Sequence, residues 1–414
     1  MNNWNVNSIE IIGNNGWSDL ATSQPWCSGS GLWTDPYIIE NITIDGNHEL
    51  WECIVIKDSN VPFIIKNSII VNSSCCYPYW CYCGIRKGIE LINVYNGQIS
   101  NNQIIYHDYG IIMKNSDNNT IKGNIIKNNN YGISLETNSC NNSIENNYLK
   151  NSYGQTKRGV RVGIRITNSF NNSIKENLIY NTGVEVNPQE TNFYNSNLVN
   201  DKNLYIYYHQ NNLSNENFIN AGQIILKNCS NSNINGINIS YTCDGIILED
   251  CFNITLKSST FALNWFTGIS LNNCNKINIS ECYLPGNDLE LKNSTQNKIN
   301  FNILRVSSIL LDDSHNNNIE FNLLNYTPNG IRLNGNYNRV INNTIWTYHN
   351  CITDIGIGNI IENNTCIKLK YPSTPNNPQN VLVGYPILVI MVISWGMIAI
   401  FILKMMKKRF KRLT

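Results

Sequence analysis

The apolar positions of this chain fall into a short phrase that returns along most of its length. The phrase is Gly-Ile-x-Leu-x-Asn-Ser, then a few polar residues, then Asn-x-Ile. It begins at Gly88 (GIELINV), Gly110 (GIIMKNS), Gly132 (GISLETNS), Gly163 (GIRITNS), Gly222, Gly245 (GIILEDC), Gly268 (GISLNNC), Asp288 (DLELKNS), Ser308 (SILLDDS), Gly330 and Cys351. Weaker copies lie near Cys53 and Asn203. Neighbouring copies are mostly about 20 to 23 residues apart, a solenoid period. Within a copy, apolar and polar residues alternate as on a strand: Ile111 and Met113 point one way, Ile112 and Lys114 the other. Further apolar positions follow at Ile121 and near Ile125. Three short strands per coil, parted by Asn, Gly and Ser corners, predict an all-β, right-handed parallel β-helix of roughly a dozen coils of about 22 residues. A leucine-rich repeat would show LxxLxLxxN and a helical half, and a propeller blade needs about 40 residues.

The same pattern predicts the chain's organisation. Residues 1–35 read as an N-terminal cap region and residues 36–370 as the solenoid. Residues 371–380 (YPSTPNNPQN) carry three prolines and read as an extended stalk. Val381–Leu403 has no charged residue over 23 positions, enough for one tilted transmembrane helix. Residues 404–414 hold six Lys and Arg. The positive-inside rule then places this basic tail in the cytoplasm and the bulk of the chain outside the cell membrane. The opening MNNWNVNSIE has no basic and apolar leader, so the expectation is a misassigned start or a truncated N-terminus.

Composition narrows the functional classes. The 414 residues include 78 Asn and 62 Ile, and only 14% are charged. Asn is a poor helix former and Ile favours strands, which excludes an ordinary helical or α/β enzyme. Without the basic tail the chain holds 24 basic and 29 acidic residues, a formal charge of −5. No basic stripe is present, so nucleic acid is not an expected partner. The repeat is interrupted at Ser73–Lys87, Asn151–Val162 and Asn181–Lys202. Such insertions become side loops, where solenoids often carry binding.

An Asn or Asp recurs after the first strand of each copy. Asn93, Asn115, Asn138, Asn168, Asn228, Asp250, Asn273, Asn293 and Asp313 are the expected ladder residues, stacked coil upon coil and turning corners in left-handed geometry.

These repeats resemble the right-handed parallel β-helix family that includes the copper-site maturation protein NosD and carbohydrate-binding or sugar-hydrolysing β-helices. The resemblance spans about residues 28–370. Its best local marks are GSGLWTDPYIIENITIDG (Gly29–Gly46) and the later GIxLxNSxxNxI coils. The opening phrase looks like the first coil of archaeal-type, membrane-anchored surface proteins. The resemblance implies fold, external location and glycan contact, and little about chemistry, because one β-helix carries many functions.

Three functional expectations follow. The leading one is a non-catalytic rod that binds polysaccharide or surface proteins and needs no cofactor. Its aromatic contacts would be Tyr77, Tyr79, Trp80 and Tyr82, since flat rings pair with apolar sugar faces. The second is a polysaccharide hydrolase or lyase using Asp312, Glu249 and Arg332. The third is NosD-like copper handling at Cys75, Cys76, Cys81 and Cys83, although their spacing matches no standard metal pattern and disulfides are the default outside the cell. Cys27 and Cys53 are candidate additional disulfide partners of this cluster. Cys229, Cys251 and Cys274 read as a buried stack of small side chains. About 14 Asn-x-Ser/Thr sequons mark possible glycosylation, barely above chance for so much Asn.

Overall fold

A computed structural model describes residues 3–73, 85–151, 161–186, 192–193 and 196–370. The expected solenoid is present. Each coil contributes three short strands, and equivalent strands of neighbouring coils pair in parallel. One coil supplies Tyr109–Lys114, Thr120–Lys122 and Ile125–Lys127, which align with Tyr131–Glu136, Ser143–Glu145 and Tyr148–Lys150 of the next. The inward residues Ile111, Met113, Ile121 and Ile126 are at most 2% exposed. The third apolar position, expected near Ile125, is Ile126, which faces the core, while Ile125 faces outward.

The corners are made by residues in left-handed geometry. All nine expected ladder positions have φ between 46° and 57°. Some stack on each other: Asn93 Nδ2 donates to Asp58 Oδ1 (2.8 Å) and Asn273 Nδ2 to Asp250 Oδ1 (2.6 Å). The continuous amide columns, however, run through other residues. Four positions beyond Asn115, Asn138 and Asn168 stand Asn119, Asn142 and Asn172, which are at most 2% exposed and bonded in series. Further columns link Asn102, Asn124, Asn147, Asn177 and Asn197, and in the second half Asn302, Asn322, Asn343 and Asn364. The corner turn sends the first Asn to solvent and the later one inward, where only a neighbouring amide or carbonyl can satisfy it.

The rod is two solenoids joined through one sheet. A 16-stranded sheet runs the length of the molecule, while the other two faces are separate sheets of eight and seven strands in the first half and of seven each in the second. Up to Leu198–Val199 the long sheet takes the third strand of each coil. The chain then reverses in an antiparallel hairpin into Lys202–Tyr208, and from Ala221–Lys227 onward the sheet takes the first strand. The cores divide at the same point: one cluster runs from Ile9 to Leu204, the other from Tyr205 to Cys351. Along Lys202–Tyr208, Leu204 and Ile206 pack on the first core, and Tyr205 and Tyr207 on the second. The two cores therefore lie on opposite faces of the shared sheet. Strand direction and core side reverse together, so the winding sense is kept, as the right-handed preference requires. Each half has seven coils, about 14 in all.

The junction creates sheet ends whose backbone groups need partners. At Val184, the Gln223 side chain accepts from the backbone N–H (2.8 Å) and donates to the C=O (2.9 Å). On the other side, Asn200 Nδ2 donates to the carbonyls of Ser240 (2.9 Å) and Tyr241 (3.1 Å), and Lys202 Nζ to that of Asn238 (2.8 Å).

The first coil starts at Trp4–Asn5 and Ile9–Ile12, so residues 1–35 supply strands to the sheets as well as a cap. The helix Gly13–Ser23 inserts the fully buried Trp17 against Tyr37 and Phe63, at ring separations of 5.5 and 4.8 Å. In the last coils Cys351 and Cys366 form a disulfide. Among the described residues no helix is long and apolar enough to cross a membrane. The expected stalk, transmembrane segment Val381–Leu403 and basic tail lie outside the described residues.

Candidate functional site

The insertions in the repeat meet the solenoid at one sheet of the first half. This sheet comprises Ile9–Ile12, Glu52–Ser59, Lys87–Val94, Tyr109–Lys114, Tyr131–Glu136, Val162–Ile166 and Val184–Val186. Residues 74–84 precede the Lys87 strand, 152–160 precede the Val162 strand, and 187–191 follow Val186. Parallel register sets its outward side chains in rows. One row is Glu52, Lys87, Tyr109 and Tyr131. The next is Val55, Glu90, Ile112, Ser134, Arg165 and Glu185, of which the first four are buried and only Arg165 and Glu185 reach the surface, and a third is Lys57, Ile92, Lys114 and Glu136.

Charge and aromatic rings alternate across these rows. The Glu90 side chain, only 4% exposed, is held by Lys87 (2.7 Å) and Lys114 (3.0 Å), and Lys87 also reaches Glu52 (3.0 Å). Burial by itself would lower the Lys87 pKa, but hydrogen bonds and charge from Glu90 and Glu52 outweigh it and raise the pKa. Tyr109 and Tyr131 stack with ring centroids 4.7 Å apart and planes 18° from parallel. Burial is the main cause that pushes the Tyr109 phenol up to about 12, so it is a hydrogen-bond donor at neutral pH. The Arg165 guanidinium lies 5.0 Å from the Tyr131 ring centre and 3.6 Å from both Glu136 and Glu185. The result is an aromatic step between two groups of paired charges. Its carboxylates are each engaged by a cation.

The acid and base candidates from the sequence do not meet. Glu249 pairs with Lys227 (2.9 Å), and Asp312 accepts from Asn334 Nδ2 (2.6 Å). Glu249 and Asp312 share an outward row through Asn272 and Lys292, three coils apart. At ~4.8 Å per coil the separation is about 14 Å, beyond the roughly 5–10 Å of working glycosidase pairs. Arg332 is exposed in the adjacent row beside Leu310.

Two carboxylates missed in the sequence have perturbed acidity. Burial pushes Asp244 up to about 6, against hydrogen bonds from the Thr267 backbone N–H (3.1 Å) and hydroxyl (2.7 Å), with Glu185 and Glu290 adding to the rise. Burial also raises Asp288, which accepts from the Ser308 N–H at 2.6 Å. Asp244 precedes the repeat glycine Gly245 just as Tyr109 and Tyr131 precede Gly110 and Gly132. The residue before the glycine was the available signal.

Tyr77, Tyr79, Trp80, Tyr82, Cys75, Cys76, Cys81 and Cys83 lie outside the described residues. Among the described residues no group of three or more His, Cys, Asp or Glu could hold a metal ion. Cys27 and Cys53, expected as disulfide partners, are free thiols buried in the first core, where burial pushes them up to about 11 and about 12. Cys229, Cys251 and Cys274 are likewise free and buried. A hydrogen bond to Cys251 and burial push the Cys229 thiol far up. His107 is fully buried between Ser73 Oγ (2.6 Å, at Nδ1) and the Ile70 carbonyl (3.0 Å, at Nε2). The carbonyl can only accept, so Nε2 carries the proton and Nδ1 accepts from the serine.

Burial lowers the His107 pKa to about 4. The folded state therefore binds this proton less readily than the unfolded chain. The associated stability is intact above about pH 6.5 and is lost as pH falls toward 4, by up to about 3 kcal/mol. Denaturation midpoints measured from pH 7 to pH 4 should show this loss, and His107→Asn should flatten it. An equally steep profile in the variant would assign the loss to other groups.

Residues 2–160 match the family model described as periplasmic copper-binding protein (NosD). The match covers the first five of the seven first-half coils and ends before the Val162–Ile166 strand. In the described part of that region Cys53 and Met113 are core residues and both His107 nitrogens are bonded, while the four cysteines expected to handle copper lie outside the described residues. No curated protein matches the chain. Among solved structures, the chain is similar to DFA-IIIase from Arthrobacter chlorophenolicus A6 without its lid, at 9% identity, 83% of this chain and 81% of that chain, with a TM-score of 0.27. It is also similar to the A-module of the mannuronan C-5 epimerase AlgE6 from Azotobacter vinelandii, at 10% identity, 78% of this chain and 91% of that chain, with a TM-score of 0.25. A third is the GH136 lacto-N-biosidase from Eubacterium ramulus, at 10% identity, 82% of this chain and 52% of that chain, with a TM-score of 0.23.

Proposed function

We propose that this chain is a glycan-binding β-helix, displayed outside the cell on a C-terminal membrane segment, and that the outer face of the first-half sheet is its contact surface. The supporting observation is the Tyr109–Tyr131 stack, flanked by the Glu52, Lys87, Glu90 and Lys114 group and by Arg165 with its two glutamates. Rings offer apolar area to the C–H faces of a sugar, and the paired charges offer donors and acceptors to its hydroxyls. The expected sugar-stacking aromatics Tyr77, Tyr79, Trp80 and Tyr82 precede the Lys87 strand in the sequence. Binding without hydrolysis fits carboxylates that are each held by a cation rather than set as an acid opposite a base.

A second reading, a carbohydrate-active enzyme, is favoured by Asp244, whose pKa of about 6 suits a general acid. One experiment separates the two. Full-length protein is run over immobilised neutral and acidic polysaccharides, and both retention and release of reducing ends are recorded. Retention without release is expected, and Tyr131→Ala should weaken it at least tenfold with the β-sheet circular dichroism unchanged. Release of reducing ends that disappears in Asp244→Asn would replace the binding reading with the enzymatic one. Unchanged retention in Tyr131→Ala would remove this face from the proposal.

A further inference from the structure

The outward face of the shared sheet in the first half is a second surface with different chemistry. Its third-strand residues form two rows. One is Ile69, Gln103, Ile125, Tyr148, Leu178 and Leu198, and the other is Val71, Ile105, Lys127, Lys150 and Tyr180. The alternate residues Ile70, Ile104, Ile126, Leu149, Ile179 and Val199 fill the core, so these rows are the ones turned out. Ile125 and Leu178 are 36% and 37% exposed, and Tyr148 lies 5.5 Å from Tyr180 between centroids. The apolar and aromatic residues thus make a flat floor along the rod axis.

The second row starts at the exposed acid Asp45, in register with Val71, and its cations Lys127 and Lys150 lie three and four coils further on. Lys127 and Lys150 are register neighbours in successive coils, and neither has an ion-pair partner among the described residues. Lys127 Nζ sits 5.5 Å from the Tyr148 ring centre. The nearby acid Asp201 accepts from the Tyr180 hydroxyl (2.5 Å) at the upper end of the strip. The floor ends at a ledge where the second half begins, with Asn200 and Lys202 bonded to the carbonyls of Asn238, Ser240 and Tyr241. On the other face, by contrast, the lysines are taken up by glutamates.

We propose that this strip binds a linear, uronate-containing polysaccharide laid along the rod axis. Equivalent side chains recur every ~4.8 Å along a parallel stack, so successive sugar units meet the same floor. Tyr148, Leu178 and Ile125 take the apolar sugar faces, and Lys127 and Lys150 take carboxylates on one side of the chain. The ledge at Tyr241 sets where a bound chain must stop or turn. Mixed apolar and cationic character would also suit an anionic membrane, so the test includes one.

The probe is a polygalacturonate oligomer, titrated calorimetrically into detergent-solubilised full-length protein at low salt. A neutral cello-oligomer and phosphatidylserine-containing vesicles are run beside it. Lys127→Gln/Lys150→Gln is expected to lower uronate affinity at least tenfold and to flatten its salt dependence. Tyr148→Ala should lower it with the salt dependence kept. Tyr131→Ala should leave it unchanged, which separates this strip from the first-half glycan face. Undiminished uronate binding in the double lysine variant overturns the proposal. So does loss of uronate binding in Tyr131→Ala, which would move the site to the other face. Binding to vesicles that is abolished by the lysine changes, without uronate binding, would make the strip a lipid contact instead.

Discussion

Asn322→Ala is expected to destabilise the second half by about 3–6 kcal/mol, a large effect for a residue with no apolar side chain to lose. Asn322 is 0% exposed and sits inside an amide column. Its Oδ1 accepts from the Asn302 backbone N–H (3.0 Å) and from Asn302 Nδ2 (3.0 Å). Its Nδ2 donates to the Ile299 carbonyl (2.9 Å) and to Asn343 Oδ1 (3.0 Å). Alanine strands the Asn302 backbone N–H and one of the two Nδ2 hydrogens of Asn302 (the other keeps the Ile279 carbonyl, 3.0 Å), and removes the Ile299 carbonyl's side-chain donor, where water has no ready access, at about 1–3 kcal/mol for each group. Asn343 Oδ1 keeps the Asn322 backbone N–H (2.9 Å), so the damage falls mainly toward the preceding coil. Asn322→Asp supplies a pH test of the same idea. It restores the acceptor but loses both donors, and burial raises its folded pKa above the unfolded value of about 3.9. The variant's stability should therefore fall as pH rises from about 4 through that raised pKa, while the alanine variant shows no such slope. Urea midpoints at pH 4 and pH 7 decide the matter, and an alanine variant within about 1 kcal/mol of the parent would mean that the column is readily replaced by water.

Much of this architecture is legible in the one-dimensional pattern because a parallel solenoid repeats its environment every coil. Gly110, Gly132 and Gly163 recur where a Cβ would meet the carbonyl of the next coil's glycine at 2.5–3.0 Å. Inward Ile and Leu recur for the same reason. The αL corners at Asn93 through Asp313 were legible because Asn and Asp tolerate that geometry better than other residues. The buried columns were harder to place. Asn115 and Asn119 are both Asn in the same repeat, and only the direction of the corner decides which one enters the core.

The junction and the binding faces were less visible, for a different reason. Asn203 already marks a weak copy of the repeat, yet nothing in NLYIYY states that its strand runs antiparallel to the preceding one. The clue is that Leu204, Tyr205, Ile206 and Tyr207 are all apolar or aromatic, a run with no polar face. Such a run suits a strand buried on both sides, which is what two cores on opposite faces of one sheet demand. Tyr109 and Tyr131 are adjacent only through register, so their stack follows from coil length and not from spacing within one copy. Lys127 and Lys150 likewise join only once the third strands are aligned.

The junction itself yields the second large expected effect. Gln223 is 0% exposed and its amide closes the open edge of the first-half sheet at Val184, while Nε2 also lies 3.2 Å from the Cys243 sulfur. Gln223→Leu keeps the size and removes both hydrogen bonds, leaving the Val184 N–H unpaired and its C=O with only the Cys243 thiol (3.3 Å), at a cost of about 1–3 kcal/mol. Gln223→Glu keeps an acceptor for the N–H but turns a carboxylate oxygen toward the Val184 carbonyl, so it should be worse at neutral pH and recover in acid as the buried carboxyl takes up a proton. The consequence reaches beyond one site. The two cores are separate clusters joined through the shared sheet, and Trp265 Nε1 donating to the Asn181 carbonyl (2.9 Å) is a further tie between the halves. Weakening these ties should uncouple the halves, because a solenoid's cooperativity is carried by nearest-neighbour interfaces. Calorimetry of the parent should give one main transition. Gln223→Leu combined with Trp265→Ala should give two, the half nearer the lesion melting first. A single transition at an unchanged midpoint would show that the shared sheet alone couples the halves and that the side-chain closure of Val184 contributes little.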